Sequence, residues 1–143
     1  MRFMITAAPD PEKAPSNTFP DEKMMAAYMA FNERLFKAGV LVVSEGLSPN
    51  GQGARIGNVG GKRVLLDGPF AESKELVGGF YLIDVPSREE AIRWALECPT
   101  GLGSDDLLTI HPMTEAADIP PEMMKIIRES APTWSAAFER NRT

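Results

Sequence analysis

The strongest constraint in the chain is a change of period along it. Apolar residues recur at Met24, Tyr28, Phe31 and Leu35, the four–three–four spacing that aligns side chains on one face of a helix. Met25, Met29 and Phe36 widen that stripe. Asp21 can cap the helix, with Asp21 and Glu22 at the positive end of its dipole. Gly39 stops it, at the position where a left-handed residue is needed. The flanking segments follow a strand pattern instead. Arg2 to Ala8 reads as a strand with Phe3 and Ile5 on one face and Met4 and Thr6 on the other, and Val40 to Ser44 is an apolar, β-branched run.

The same alternation continues. Pro9 to Pro20 and Leu47 to Gly53 carry loop chemistry. Arg55 to Val59 and Lys62 to Leu66 flank Gly60-Gly61, a hairpin signal because both glycines can adopt positive φ. Asp67 to Ser73 forms a second loop. Leu76 to Val85 is the most strand-like segment, and Gly78-Gly79 within it implies a bulge or a close backbone approach. Ser87 and Glu90, three apart, fit the start of a second helix with Ala91, Ile92, Ala95 and Leu96, which ends near Cys98-Pro99. Asp106 to Met113 is a last strand. Beyond it, Pro120-Pro121 opens a helix with Met123, Met124, Ile126 and Ile127, and Pro132 separates it from a short helix with Trp134, Ala137 and Phe138.

The order strand, helix, strands, helix, strand is α+β and not a doubly wound parallel sheet. Its simplest layout is ferredoxin-like, an antiparallel sheet with both helices on one face. The opposite face then carries apolar groups in water, at a cost of about 25 cal/mol per Å². Pairing of two copies through that face, a homodimer, is the expected solution. The 143 residues suit one domain, spanning 1–113, with a C-terminal helical extension over 114–143 that packs on the core or on the dimer partner.

Charge and cysteine usage exclude several classes. The net charge of −5 argues against nucleic acid as a partner. One Cys and one His leave too few soft ligands for a structural zinc site, and the residues demand no metal or organic cofactor. The single Cys also points to a reducing compartment, the cytoplasm. The apolar stretch before Pro9 is too short for a signal-peptide core, and no window reaches the roughly 20 apolar residues of a membrane span.

Asp67-Gly68-Pro69-Phe70-Ala71-Glu72-Ser73-Lys74-Glu75 resembles the signature of the DGPF-motif branch of the YCII-related family. Met29 to Asn32, Ala38 to Leu41, Glu45-Gly46-Leu47, Gly78 to Val85, and the stretch from Glu89-Glu90-Ala91 through Trp94-Ala95 to Cys98-Pro99 match it further, in order, from about Met1 to Met113. The resemblance implies a dimeric α+β barrel in which two ferredoxin-like sheets pack face to face. The wider family is similar to the muconolactone-isomerase type of barrel, and some members carry a His and an Asp suspected of acid–base work. Tyr28 stands at the place of that helix His, and Asp67 is the best counterpart of the Asp.

The candidate chemistry follows from these residues. Asp67 could act as a base or anchor a ligand donor, or accept backbone N–H groups in its own turn. Tyr28, on the helix stripe, could orient a ligand or donate a proton. The ordinary phenol pKa near 10 makes it a poor base, and it could equally be a core aromatic. His111 is the only side chain that titrates near neutrality unaided, and it could face a pocket from the last strand or serve structure there. Glu45 ends the second strand and is a candidate ligand contact. Arg55 and Arg63 could hold an anionic ligand bidentately, or discourage edge aggregation. The glycine clusters lack the context of a phosphate loop. Two functions therefore stand: a small-molecule-binding barrel, and an enzyme doing acid–base chemistry with Asp67 and Tyr28 or His111.

Overall fold

The structure, a computed structural model, describes residues 1–9, 12, 22–47, 53–66, 78–99 and 106–140. Strand β1 (Arg2–Pro9) leads to helix α1 (Glu22–Lys37) and strand β2 (Leu41–Gly46). A hairpin of β3 (Arg55–Val59) and β4 (Lys62–Leu66) follows, then β5 (Gly79–Asp84), α2 (Arg88–Glu97) and β6 (Asp106–Pro112). A single 3-10 turn (Ala116–Asp118) and helices α3 (Pro121–Ser130) and α4 (Pro132–Arg140) complete the chain.

Local chemistry fixes the element ends. Gly39 takes φ 72°, which spares any Cβ strain. The last turn of α1 then closes with Gly39 N–H donating to Phe36 O at 2.9 Å and Val40 N–H to Leu35 O at 3.2 Å, the paired bonds of a Schellman motif. Ser87 caps α2, its Oγ accepting from Glu90 N–H at 3.2 Å. Pro121 at the first position of α3 has no N–H to waste, and Pro132 starts α4 in the same way.

The sheet order is β2-β5-β1-β6, with every pairing antiparallel. Each helix connection therefore carries the chain past one intervening strand, which is the interlocked split arrangement of the ferredoxin-like fold. Both helices lie on the same face. There Phe3, Ile5 and Ile83 of the sheet pack with Phe31 and Leu35 of α1 and Ala91, Trp94 and Ala95 of α2, all buried. Strand alternation sends Met4, Phe80, Leu82 and Val43 to the other face, where they are half-buried, and leaves Leu107 exposed there.

Two details depart from the sequence reading. Met25, Met29 and Phe36 are exposed, Phe36 at 71%, so α1 touches the sheet along a narrow stripe. On α2 Leu96 is exposed, and Trp94 is buried together with Ala91 and Ala95. The reason is the α1–α2 seam, where Phe31 meets Trp94 edge-on at 6.2 Å. Arg34 and Arg93 lie over the Trp94 ring, 5.6 and 4.7 Å from its centroid, and both bond to Glu97. The indole N–H turns toward the Glu90 carboxylate without the alignment of a hydrogen bond.

Glu97 has its carboxyl held below its ordinary value of 4.5, chiefly by the Arg34 hydrogen bond. A depressed carboxyl adds stability above its unfolded pKa and loses it as pH falls through the folded one. Because the group is exposed, the effect is small. Glu97→Gln should lower the melting temperature slightly at pH 7, and the two proteins should converge as the solution is acidified through the lowered folded pKa. Melting curves across that range check it.

Helices α3 and α4 pack chiefly on each other. Arg128 holds Glu139 with two bonds of 2.8 and 3.2 Å, and Met124 and Ser135 are buried. Trp134 stacks on Phe138 at 4.9 Å yet stays 55% exposed. Among the described residues, no helix is long and apolar enough to cross a membrane.

Candidate functional site

The most polar part of the helix-side core is centred on Tyr81. Its position follows from parity: Ile83 and Tyr81 share one face of β5, so the phenol is carried inward with the core. Ser44 is its direct cross-strand partner on β2. Cys98, just past the end of α2, also interacts with Tyr81, as does Tyr28 of α1. The Tyr81 ring stands edge-on against Phe31, with centroids 5.6 Å apart. Four elements thus bring two phenols, a hydroxyl and a thiol together beside an aromatic wall.

The electrostatics assign these groups a role. Burial is the main cause that pushes the Tyr81 phenol well above its ordinary value, and the Cys98 thiol and Tyr28 push it further. Only the bond with the Ser44 hydroxyl works the other way. A phenol held neutral in this way is a hydrogen-bond donor and not a base or a nucleophile. The backbone beside it is tight. A Cβ on Gly79 would lie 2.9 Å from Glu45 O, so the close approach expected at Gly78-Gly79 falls at the β2–β5 contact.

The other candidates lie elsewhere. His111 on β6 pairs with Met4 of β1, on the helix-free face, and its Nε2 is 3.3 Å from Thr6 Oγ1. Tyr28 and His111 are therefore separated by the thickness of the sheet. Glu45 is exposed and pairs with Phe80, on the His111 side. Arg55 and Arg63 sit on the hairpin, where the register places Arg55 beside Leu66 and Arg63 beside Asn58, on opposite faces. Asp67, with the whole Asp67-Gly68-Pro69-Phe70 stretch, lies outside the described residues. Among the described residues no group of three or more His, Cys, Asp or Glu side chains could hold a metal ion.

Sequence reasoning missed Tyr81, Ser44 and Cys98 as a group. The usable signal was Tyr81 at the same parity as Ile83. A phenol forced inward on a core strand needs polar partners, and those partners have to come from other elements.

A ferredoxin-like α+β fold with two helices on one face of a four-stranded antiparallel sheet defines the general class. The chain belongs to the YCII-related domain family, which it matches over residues 1–114. It is 34% identical, over 101 residues, to an uncharacterised protein of Rhizobium meliloti (strain 1021), with 71% of this chain and 74% of that one covered. Among solved structures it is similar to 5-chloro-2-hydroxyhydroquinone dehydrochlorinase from Burkholderia phenoliruptrix AC1100, in complex with 2,5-dihydroxybenzoquinone. That likeness covers 84% of this chain and 100% of that chain, at 16% identity and a TM-score of 0.46.

Proposed function

We propose that the protein is a dimeric, cytoplasmic barrel that binds a small organic molecule beside Tyr81. The observation that carries this reading is the half-buried Tyr81 phenol on the core face, directly across from Ser44 and edge-on to the Phe31 ring. Two phenols can donate to one ligand oxygen, and the ring of Phe31 offers a flat apolar wall. Such a wall with convergent donors suits a small cyclic molecule bearing carbonyl, phenolate or carboxylate oxygen. Asp67, one residue past the end of β4, supplies the carboxylate that accepts a ligand hydroxyl. The dimer forms through the helix-free sheet face, and the extension from residue 114 packs on the core or on the partner.

The test is a thermal-shift panel of phenols, hydroxybenzoates and cyclic keto acids. A compound that stabilises the chain should bind Tyr81→Phe about 3- to 10-fold more weakly, as expected for one lost hydrogen bond. His111→Ala should bind it normally. Weakening by His111→Ala with Tyr81→Phe unaffected would move the site to the space between the paired sheets.

A second reading is acid–base catalysis, with Asp67 as the base and Tyr28 as the acid. It is favoured by the placement of Tyr28 beside a second phenol. His111 serves the same role only if the ligand occupies the other sheet face, where it already meets Thr6. Turnover of the bound compound that is lost in Asp67→Asn, with binding retained, supports it. Binding without turnover in the native chain removes it.

A further inference from the structure

The β3–β4 hairpin stands apart from the four-stranded sheet and makes its own two-stranded one. Its turn is well formed, with Gly60 at φ 57° and Gly61 at φ 77°, the positive pair a type I′ turn requires. A two-stranded hairpin is marginal in water without further cover. This one also exposes apolar side chains on both faces. Ile56 and Leu65, 55% and 57% exposed, share one face with Arg63. Val59 and Leu66, 61% and 44% exposed, share the other with Lys62.

Charge identifies what should cover it. Residues 55–66 contain Arg55, Lys62 and Arg63 and no acid, a charge of +3. The whole chain carries −5, so everything outside the hairpin carries −8. A basic, apolar arm on an acidic body is complementary to a second copy of that body. An anionic lipid surface would attract the arm but repel the rest.

We infer that this hairpin is an arm that docks on a second copy of the chain, giving a two-fold exchange of arms alongside the paired sheets. This rests on the dimer proposed above and adds a second contact to it. The result is an isologous interface, in which each copy gives one basic arm and receives another.

The test is sedimentation equilibrium of the full chain and two variants. Ile56→Ser with Leu65→Ser removes apolar contact, and Lys62→Glu with Arg63→Glu reverses charge without touching the turn. Each pair should raise the dimer Kd at least 10-fold, with the main melting transition kept. Raising salt from 0.1 to 0.5 M should weaken the native dimer and not the charge-reversed one. A native dimer with both variants pairing at the native Kd overturns the arm and leaves the paired sheets standing. A native chain that stays single at every concentration overturns both. Co-sedimentation with vesicles of phosphatidylserine and phosphatidylcholine, lost on charge reversal while the dimer Kd is unchanged, assigns the arm to membranes and overturns the inference.

Discussion

Leu82→Asp is expected to leave the chain folded and to prevent the pairing proposed for its helix-free face. Leu82 lies at the centre of the helix-free face, opposite Met4 of β1 and Val43 of β2. It is half-buried in one copy, so the carboxylate stays hydrated there and the fold tolerates it. In a dimer built on this face the same carboxylate would be sealed between two apolar sheets with no partner. A buried, unpaired charge costs about 4 kcal/mol in protein contexts, which is about a thousandfold in Kd. Circular dichroism should be unchanged, while sedimentation shows one chain at concentrations where the native protein pairs. Native and variant chains dimerising alike would mean that another surface holds the copies together, and the enclosed space between sheets would go with it.

The parts of this fold that were legible in the sequence are those set by short-range chemistry. Gly39, Ser87 and Gly60-Gly61 each act within a few residues, and each acts as its local pattern predicts. The ferredoxin-like layout was legible for a different reason. Two helices joining strands through crossovers leave few antiparallel layouts, and the β2-β5-β1-β6 order is the simplest of them. What was not legible depended on neighbours far along the chain. The β2 register shifts between Leu41 and Val43, leaving Val42 41% exposed, yet the run from Val40 to Val43 is uniformly apolar and gives no sign of the break. Tyr28 and His111 both looked inward from apolar elements. Only the packed structure shows that inward from α1 and inward from β6 mean opposite faces of one sheet. Asp67 lies outside the described residues, so its place rests on the sequence alone.

Ile83→Ala should cause a large loss of stability for a single truncation in the sheet. Ile83 is 0% exposed and stands between Phe3 of β1 and Leu41 of β2, under both helices. Removing its outer carbons leaves a void that α1 cannot fill, because Phe31 is already engaged with Tyr81 on one side and Trp94 on the other. Such truncations cost about 2–5 kcal/mol, and close to 4 is expected where collapse is blocked. For a domain of this size that lowers the melting temperature by roughly 10 °C. Phe36→Ala is the matched control, since Phe36 loses more atoms but is 71% exposed, and its melting temperature should stay within about 2 °C of native. Equal losses in the two variants would place the core elsewhere. The consequence reaches the site as well. Tyr81 is two residues from Ile83 on the same face, so a strand that shifts to fill the void carries the phenol away from Ser44. Ligand stabilisation should therefore fall in Ile83→Ala and not in Phe36→Ala, a pairing of stability and binding that only a site built on this core produces.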